Sequence, residues 1–192
     1  NSLNLRTALE KVIPAASISD FKPEFTGVFF KVTNKELKIV ATDTFRLAEY
    51  KLEIDSKNDN FSFIIPQQMM QEIIRIISTD EDIKVSYGEN QVLFEIGDIK
   101  ITSRVIEGVF PDYDNIIPKN FENTIFVNKN QLKDSVKTSA IFASKIMEVS
   151  IKLSDKHLEI KSDNQDIGEY KNIIPVNNSN PNKEIKISFN YK

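Results

Sequence analysis

Cysteine is absent from the 192-residue chain, and histidine occurs once. Without thiols there is no disulfide framework, no thiolate zinc site and no cysteine nucleophile. A single imidazole argues against a histidine-rich metal centre and against a Ser-His-Asp triad. Five glycines leave little material for a phosphate-cradling loop, and neither GxGxxG nor GxxxxGK[ST] occurs. No apolar run approaches the roughly 18–20 residues of a membrane span, and no signal-peptide pattern stands at the start. What is there is a globular composition, with 40% hydrophobic and 28% charged residues. The 25 basic and 28 acidic residues leave a net charge of −3. That balance does not advertise a nucleic-acid binder, but a basic stripe can sit on an acidic body.

The most informative pattern is a repeat. Phe61 to Ile65 reads as a short strand ended by Pro66, a residue suited to a first helical turn. Met69, Met70, Ile73, Ile74 and Ile77 then recur at helical spacing between Gln67 and Ser78. Three strand-like runs follow: Ile83 to Tyr87, Gln91 to Ile96 and Ile99 to Val105. The same β-α-β-β-β unit recurs with a strand over Thr124 to Val127 and a helix over Asn128 to Ser144. Its three strands are Val149 to Leu153, Leu158 to Lys161 and Gly168 to Ile174. An earlier copy has a helix over Leu5 to Ser17 and strands at Gly27 to Val32, Leu37 to Thr42 and Arg46 to Ile54, with its first strand missing. Ile185 to Phe189 starts another copy, one period after Thr124. An amphipathic helix and a meander each need a partner for their apolar faces, so the units should pack together. The expected fold class is α+β, with helices on one face and antiparallel sheets on the other. The polar stretch from Pro118 to Asn123 places a boundary between a domain at 1–117 and an incomplete one at 121–192.

Two segments carry more than periodicity. Ala41-Thr42-Asp43-Thr44-Phe45-Arg46-Leu47-Ala48 joins two strands through turn-forming residues, and on composition alone it is a hairpin with an incidental Arg. Arg104 to Pro118 contains Gly108-Val109-Phe110-Pro111-Asp112-Tyr113 and Ile116-Ile117-Pro118. A connector this apolar must pack on something. It is either a linker pinned to a sheet or one wall of a groove.

Together these segments resemble the bacterial DNA polymerase III beta subunit family, the replicative sliding clamps. That family carries an ATD-x-x-RLA stretch in its middle domain and a strand running into an [DE]-G-x-[FY]-PDY motif ahead of its third. The terminal Ser188-Phe189-Asn190-Tyr191-Lys192 is similar to the start of the family's last helix. The resemblance covers Leu3 to Lys192, and implies that the first domain and the last half of the third are missing. It implies a DNA clamp fold, a head-to-tail homodimer forming a ring, and duplex DNA passing through a helix-lined channel without sequence preference. It further implies a processivity factor with no catalysis of its own, no cofactor and no metal, working in the bacterial cytoplasm at the nucleoid and not at a membrane.

The resemblance also assigns residues. Short linear peptides from the polymerase III catalytic subunit, the clamp loader and repair proteins would dock on Phe25, Thr42, Thr44, Phe45, Arg46, Leu47, Pro111, Asn115, Ile116, Ile146 and Asn190. Thr44 stands where the family commonly has Gly, Phe45 where it has His or Tyr, and Asn115 where Arg is frequent. The DNA-facing candidates are Arg6, Lys11, Arg75, Lys129, Lys133 and Lys137. The last three share one helical face at i, i+4, i+8, beside a stripe of Leu132, Val136 and Ala140. Gln67 and Gln68 replace residues that are often basic in the family. Ala140 and Ile141 fall at the subunit junction. Two other readings stay open: a peptide-binding α+β module without DNA binding, and a small hydrolase using carboxylates such as Asp43 and Asp112. His157 and the Asp80-Glu81-Asp82 cluster read as turn residues.

Overall fold

The structure is a computed structural model that describes residues 1–19, 21–54, 60–178 and 184–191. Lys192, the last residue of the expected helix start, lies outside the described residues. The chain divides into two compact units, Asn1–Tyr113 and Asp114–Lys192. The division falls a few residues before the polar stretch that marked it in the sequence, because Tyr113 is buried against the first unit.

The first unit opens with helix α1 (Ser2–Val12), whose N-terminus is capped by the Asn1 side chain accepting from the Asn4 N–H. The expected helix ran to Ser17. Pro14 stops it early, since it has no N–H to donate and its ring clashes with the preceding turn, so residues Ile13–Ala15 form a 3₁₀ turn. Strands β1 (Gly27–Val32), β2 (Glu36–Thr42), β3 (Leu47–Glu53) and β4 (Phe61–Pro66) follow. They form an antiparallel sheet in the order β3-β2-β1-β4. Helix α2 (Gln67–Ile76) starts directly after Pro66, which flanks the helix rather than entering its first turn. Strands β5 (Ile83–Tyr87), β6 (Gln91–Ile96) and β7 (Ile99–Arg104) make a second antiparallel sheet.

Period-two alternation sorts the strand residues between two faces. Val28, Phe30, Ile39, Phe63 and Ile65 point with Leu5, Leu9 and Val12 of α1, Met70 and Ile73 of α2, and Val92 and Phe94 of β6 into the main core. The helices pack against each other and lie on one side of the sheets. Stacked rings continue this core from Phe30 through Phe63 to Tyr87, with centroid separations of 5.1 and 5.3 Å.

The opposite face of the four-stranded sheet carries a second, smaller apolar cluster of Phe25, Val40, Ile64, Phe110 and Tyr113, with Phe29, Leu47 and Ile106 packed on it. The connector after β7 supplies its lid. The Ile106 N–H donates to the Ile64 carbonyl at 2.8 Å, and the chain then crosses the sheet.

The second unit begins its regular structure with β8 (Ile125–Phe126) and helix α3 (Lys129–Ile141). Asn128 caps α3 by accepting from the Asn130 and Gln131 N–H groups. Strands β9 (Glu148–Leu153), β10 (His157–Asn164), β11 (Gly168–Pro175), β12 (Asn177–Asn178) and β13 (Ile185–Asn190) complete it. Four of them form a sheet in the order β11-β10-β9-β13, while β12 pairs with β8. Leu132 and Val136 of α3 pack on Val149, Leu158, Ile160 and Ile174. Ala140 is only half-buried; the buried residues of α3 are Ser135 and Ser139. Their polarity is satisfied, because the Ser162 hydroxyl donates to the Ser139 carbonyl and the Asn172 amide donates to the Ser135 hydroxyl. The expected helix reached Ser144. It stops at Ile141, where Phe142 stacks on Tyr170 and the Asn164 amide donates to the Ala143 carbonyl.

Candidate functional site

The turn between β2 and β3 is built by side chains. Asp43 Oδ1 accepts from the Phe45 and Arg46 backbone N–H groups at 3.0 and 2.9 Å, and Arg46 Nε donates to Asp43 Oδ2 at 2.9 Å. The Thr42 hydroxyl donates to the Arg46 carbonyl at 2.7 Å and accepts from the Thr44 N–H. Partial burial alone would raise the Asp43 carboxyl. The N–H donors of Arg46 and Phe45, with the Arg46 guanidinium, outweigh it and hold the group below its ordinary value. The hydrolase reading asked Asp43 to act as a free carboxylate, but both of its oxygens are committed to the turn.

The same turn holds Thr44 at φ 77°, the left-handed region that a β-branched residue rarely occupies. It leaves Phe45 at the tip with 96% of its surface exposed, away from the apolar cluster. Arg46 is half exposed and Thr42 is buried. Leu47, directly across from Thr42, reaches the cluster. Phe25 arrives in it from a 3₁₀ turn (Pro23–Phe25), with the Lys22 ammonium 5.5 Å from its ring. Pro111 lies between Phe110 and Tyr113 on the connector, half-buried. Among the first-unit candidates the structure therefore gathers Phe25, Leu47 and Pro111's neighbours around one patch, with Thr42 and Arg46 in the turn beside it.

The second-unit candidates are described separately. Ile116 and Ile146 are 67% and 70% exposed, and Asn115 is also exposed. Asn190 pairs with Glu148 and the Tyr191 N–H donates to the Met147 carbonyl, so Asn190 sits at the same end of the sheet as Ile146. The outward face of this sheet is charged. Lys171 pairs with Glu159, Lys161 with Glu169, and Lys152 with Glu184. A cavity of 680 Å³ lies over it, lined by residues that include Ser150, Lys152, Lys161 and Glu184, cations and anions in mutual contact.

The basic candidates divide. Lys129, Lys133 and Lys137 are exposed along one face of α3 and pair with no carboxylate among the described residues. Lys11 is exposed on α1. Arg6, one of the DNA-facing candidates, is engaged within the first unit. Its Nε donates to Glu10 one turn on, and its Nη1 donates to the Ile77 carbonyl, which ties α1 to the end of α2. Arg75 is similarly paired with Glu72. The charge balance follows: residues 1–113 hold 13 Lys and Arg against 18 Asp and Glu, and residues 114–192 hold 12 against 10.

Three residues around the patch were not singled out from the sequence as site residues. Asp43 was read as a turn former and as a carboxylate of the hydrolase alternative, not as part of the peptide site. Glu49 and Tyr113 lie 64 positions apart and are joined by a hydrogen bond. The alternation Leu47, Glu49, Lys51 in β3 was the signal that Glu49 shares the face of Leu47.

Comparison with known proteins bears on both units. Residues 1–112 match the family model for the DNA polymerase III beta subunit, central domain, and residues 114–192 that for its C-terminal domain. The beta sliding clamp of Staphylococcus epidermidis is 34% identical over 181 residues, which is 93% of this chain and 48% of that protein. The Staphylococcus aureus beta sliding clamp is 32% identical over 191 residues, 98% of this chain and 50% of its own length. The chain thus spans about half the length of the curated relatives it matches. Among solved structures, the DNA polymerase III beta subunit of Thermotoga maritima superposes with a TM-score of 0.90 at 28% identity, covering 100% of this chain and 52% of the other. That of Pseudomonas aeruginosa gives 0.93 at 23% identity, covering 99% and 52%, and speaks to the fold alone.

Proposed function

This chain belongs to the DNA polymerase III beta subunit family, and on that footing we propose that it is the middle domain and part of the C-terminal domain of a sliding clamp. In this reading it is a processivity factor whose head-to-tail homodimer encircles duplex DNA in the bacterial cytoplasm, and it performs no catalysis itself. The observation that carries the proposal is that two consecutive units match the central and C-terminal domains of one family, in order and along nearly the whole chain.

The first unit supports a peptide-docking role. A short extended peptide binds usefully only by burying a few apolar anchors in a preformed surface with polar groups at its edge. The patch of Phe25, Leu47 and Phe110 beside the Thr42–Arg46 turn has that composition. Asn115, Ile116, Ile146 and Asn190 are the proposed contribution of the second unit, and the peptides are those of polymerase, clamp loader and repair proteins. The three lysines of α3 support a phosphate-facing surface, which positions DNA without reading its sequence. Ile141, 65% exposed at the end of α3, supports with Ala140 the proposed subunit junction. No described helix is long and apolar enough to cross a membrane.

The test is calorimetric titration of a glutamine- and leucine-containing clamp-binding peptide into the chain and into its Leu47→Asp variant. Two buried anchors, each worth about 1.5–3 kcal/mol before ordering costs, predict micromolar or weaker binding. The variant should bind at least tenfold more weakly. Equal affinities would remove Leu47 from the site.

A further inference from the structure

On the outward face of the first sheet, residues from four strands line up in rows. Ile64, Phe29, Val40 and Glu49 are successive cross-strand partners, and Lys31, Lys38 and Lys51 form the next row on the same face. Three members of the first row are apolar and take the connector: Phe110 stacks on Phe29, and Tyr113 packs edge-on to Phe110. The fourth member is a carboxylate, largely buried. It accepts a hydrogen bond from the Tyr113 hydroxyl at 2.7 Å, and the ammonium groups of Lys51 and Lys38 lie 3.3 and 3.7 Å from it. Lys38 also sits 6.0 Å from the centre of the Tyr113 ring.

We propose that Glu49 is a positioning residue for the peptide site, acting through Tyr113 to hold the Phe110–Tyr113 segment, and Pro111 within it, as a fixed wall beside Leu47. The inference rests on the peptide-docking reading above. A carboxylate this shielded needs its charge met, which Lys38 and Lys51 do, and its remaining lone pairs used. A phenol bonded to an ionised acceptor makes a short, charge-assisted hydrogen bond. Tyr113 is itself 2% exposed, so its hydroxyl has no water to fall back on. The bond therefore selects one placement of the connector over the placements that apolar contact alone would allow. The side chains of Phe29, Val40 and Ile64 offer the connector no hydrogen bond; the Ile106 N–H bond to the Ile64 carbonyl pins it at one end of the row, and the Tyr113–Glu49 bond fixes it at the other. Fixing the wall before the peptide arrives lowers the ordering cost of binding.

The experiment measures peptide affinity and melting temperature for the 192-residue chain and for Glu49→Ala, Glu49→Gln, Tyr113→Phe, the Glu49→Ala/Tyr113→Phe double variant and Leu47→Asp. Tyr113→Phe removes one oxygen and keeps the ring packing, so it remains informative if Glu49→Ala folds poorly. Loss of one such bond should weaken peptide binding about fivefold in Tyr113→Phe and in Glu49→Ala, with no further loss in the double variant. Glu49→Gln keeps an oxygen that accepts from Tyr113 and loses the charge. It should stay within about twofold of the parent, a rescue that a general loss of stability would not produce. Parent-like affinity in Tyr113→Phe, or equal losses in Glu49→Gln and Glu49→Ala, would overturn the proposal while Leu47→Asp still abolished binding. If Leu47→Asp also bound normally, the peptide-docking reading itself would fall.

Discussion

The ring of Phe110 lies flat on that of Phe29, with centroids 4.5 Å apart and planes 2° from parallel. One residue belongs to the connector that ends the first unit and the other to the middle of its sheet, 81 positions earlier. This contact, with the edge-on approach of Phe25 at 6.2 Å, turns a linker motif into part of the apolar patch proposed to dock peptides.

Truncating that contact should be costly. Phe110 is 8% exposed, and Phe110→Ala should destabilise the first unit by about 3 kcal/mol. Phe110→Leu should cost about half as much. Urea unfolding followed by circular dichroism measures both, and a loss below 1 kcal/mol for the alanine variant would mean that the connector does not cover the sheet.

Thr44 offers a prediction of the opposite sign. At φ 77° its Cβ is strained by roughly 1–2 kcal/mol relative to glycine. Part of that gain is offset by the greater chain entropy of an unfolded glycine. Thr44→Gly should therefore leave stability unchanged or raise it by about 1 kcal/mol, whereas Thr44→Val should lower it. Thermal melting of the two variants decides the sign.

Asp43 sets a pH dependence. Its carboxyl is held below its ordinary value in the folded protein. A depressed carboxylate contributes stability that is fully present above its unfolded value, near pH 4, and is lost as pH falls through the lowered folded value. Asp43→Asn should remove that acid-range dependence and leave the neutral-to-alkaline profile parallel to the parent. Urea midpoints between about pH 2 and 7 check it; identical acid limbs for the two proteins would contradict the turn's electrostatics.

The lysines of α3 should dominate any DNA affinity. Replacing Lys129, Lys133 and Lys137 with alanine should reduce the slope of log affinity against log salt by up to about 3. Arg6→Ala and Arg75→Ala should change it little, because Glu10 and Glu72 already neutralise them. Fluorescence anisotropy with duplexes of two unrelated sequences measures this. A triple variant with an unchanged slope would place the phosphate contacts elsewhere, and no measurable affinity of the parent for either duplex would favour the peptide-binding module without DNA binding.

Much of this was readable in the chain. The limits of β1, β5 and β6 coincide with the alternating runs seen in the sequence, because each run is bounded by turn-forming residues. Helix ends were harder. Pro14 shortens α1 by a rule that the sequence states openly, but the end of α3 depends on Phe142 finding Tyr170, a contact between residues 28 apart. The pairing of Arg6 with Glu10 follows a local rule, the i, i+4 spacing, which attention to basic residues alone passes over. The turn motif and the aromatic connector marked the patch. Glu49 was not marked, because its role is set by Tyr113, and no local pattern links a strand carboxylate to a phenol 64 residues away.

The most direct measurement is amide chemical-shift mapping of a clamp-binding peptide titrated into the isotope-labelled chain. Peptide docking on this patch predicts shifts concentrated at Phe25, Thr42 to Leu47 and Phe110 to Tyr113, while Arg6, Lys11 and Arg75 stay still. Shifts confined to α1 and α2, or none at peptide concentrations above 1 mM, where even a Kd of about 1 mM gives half occupancy, would contradict it.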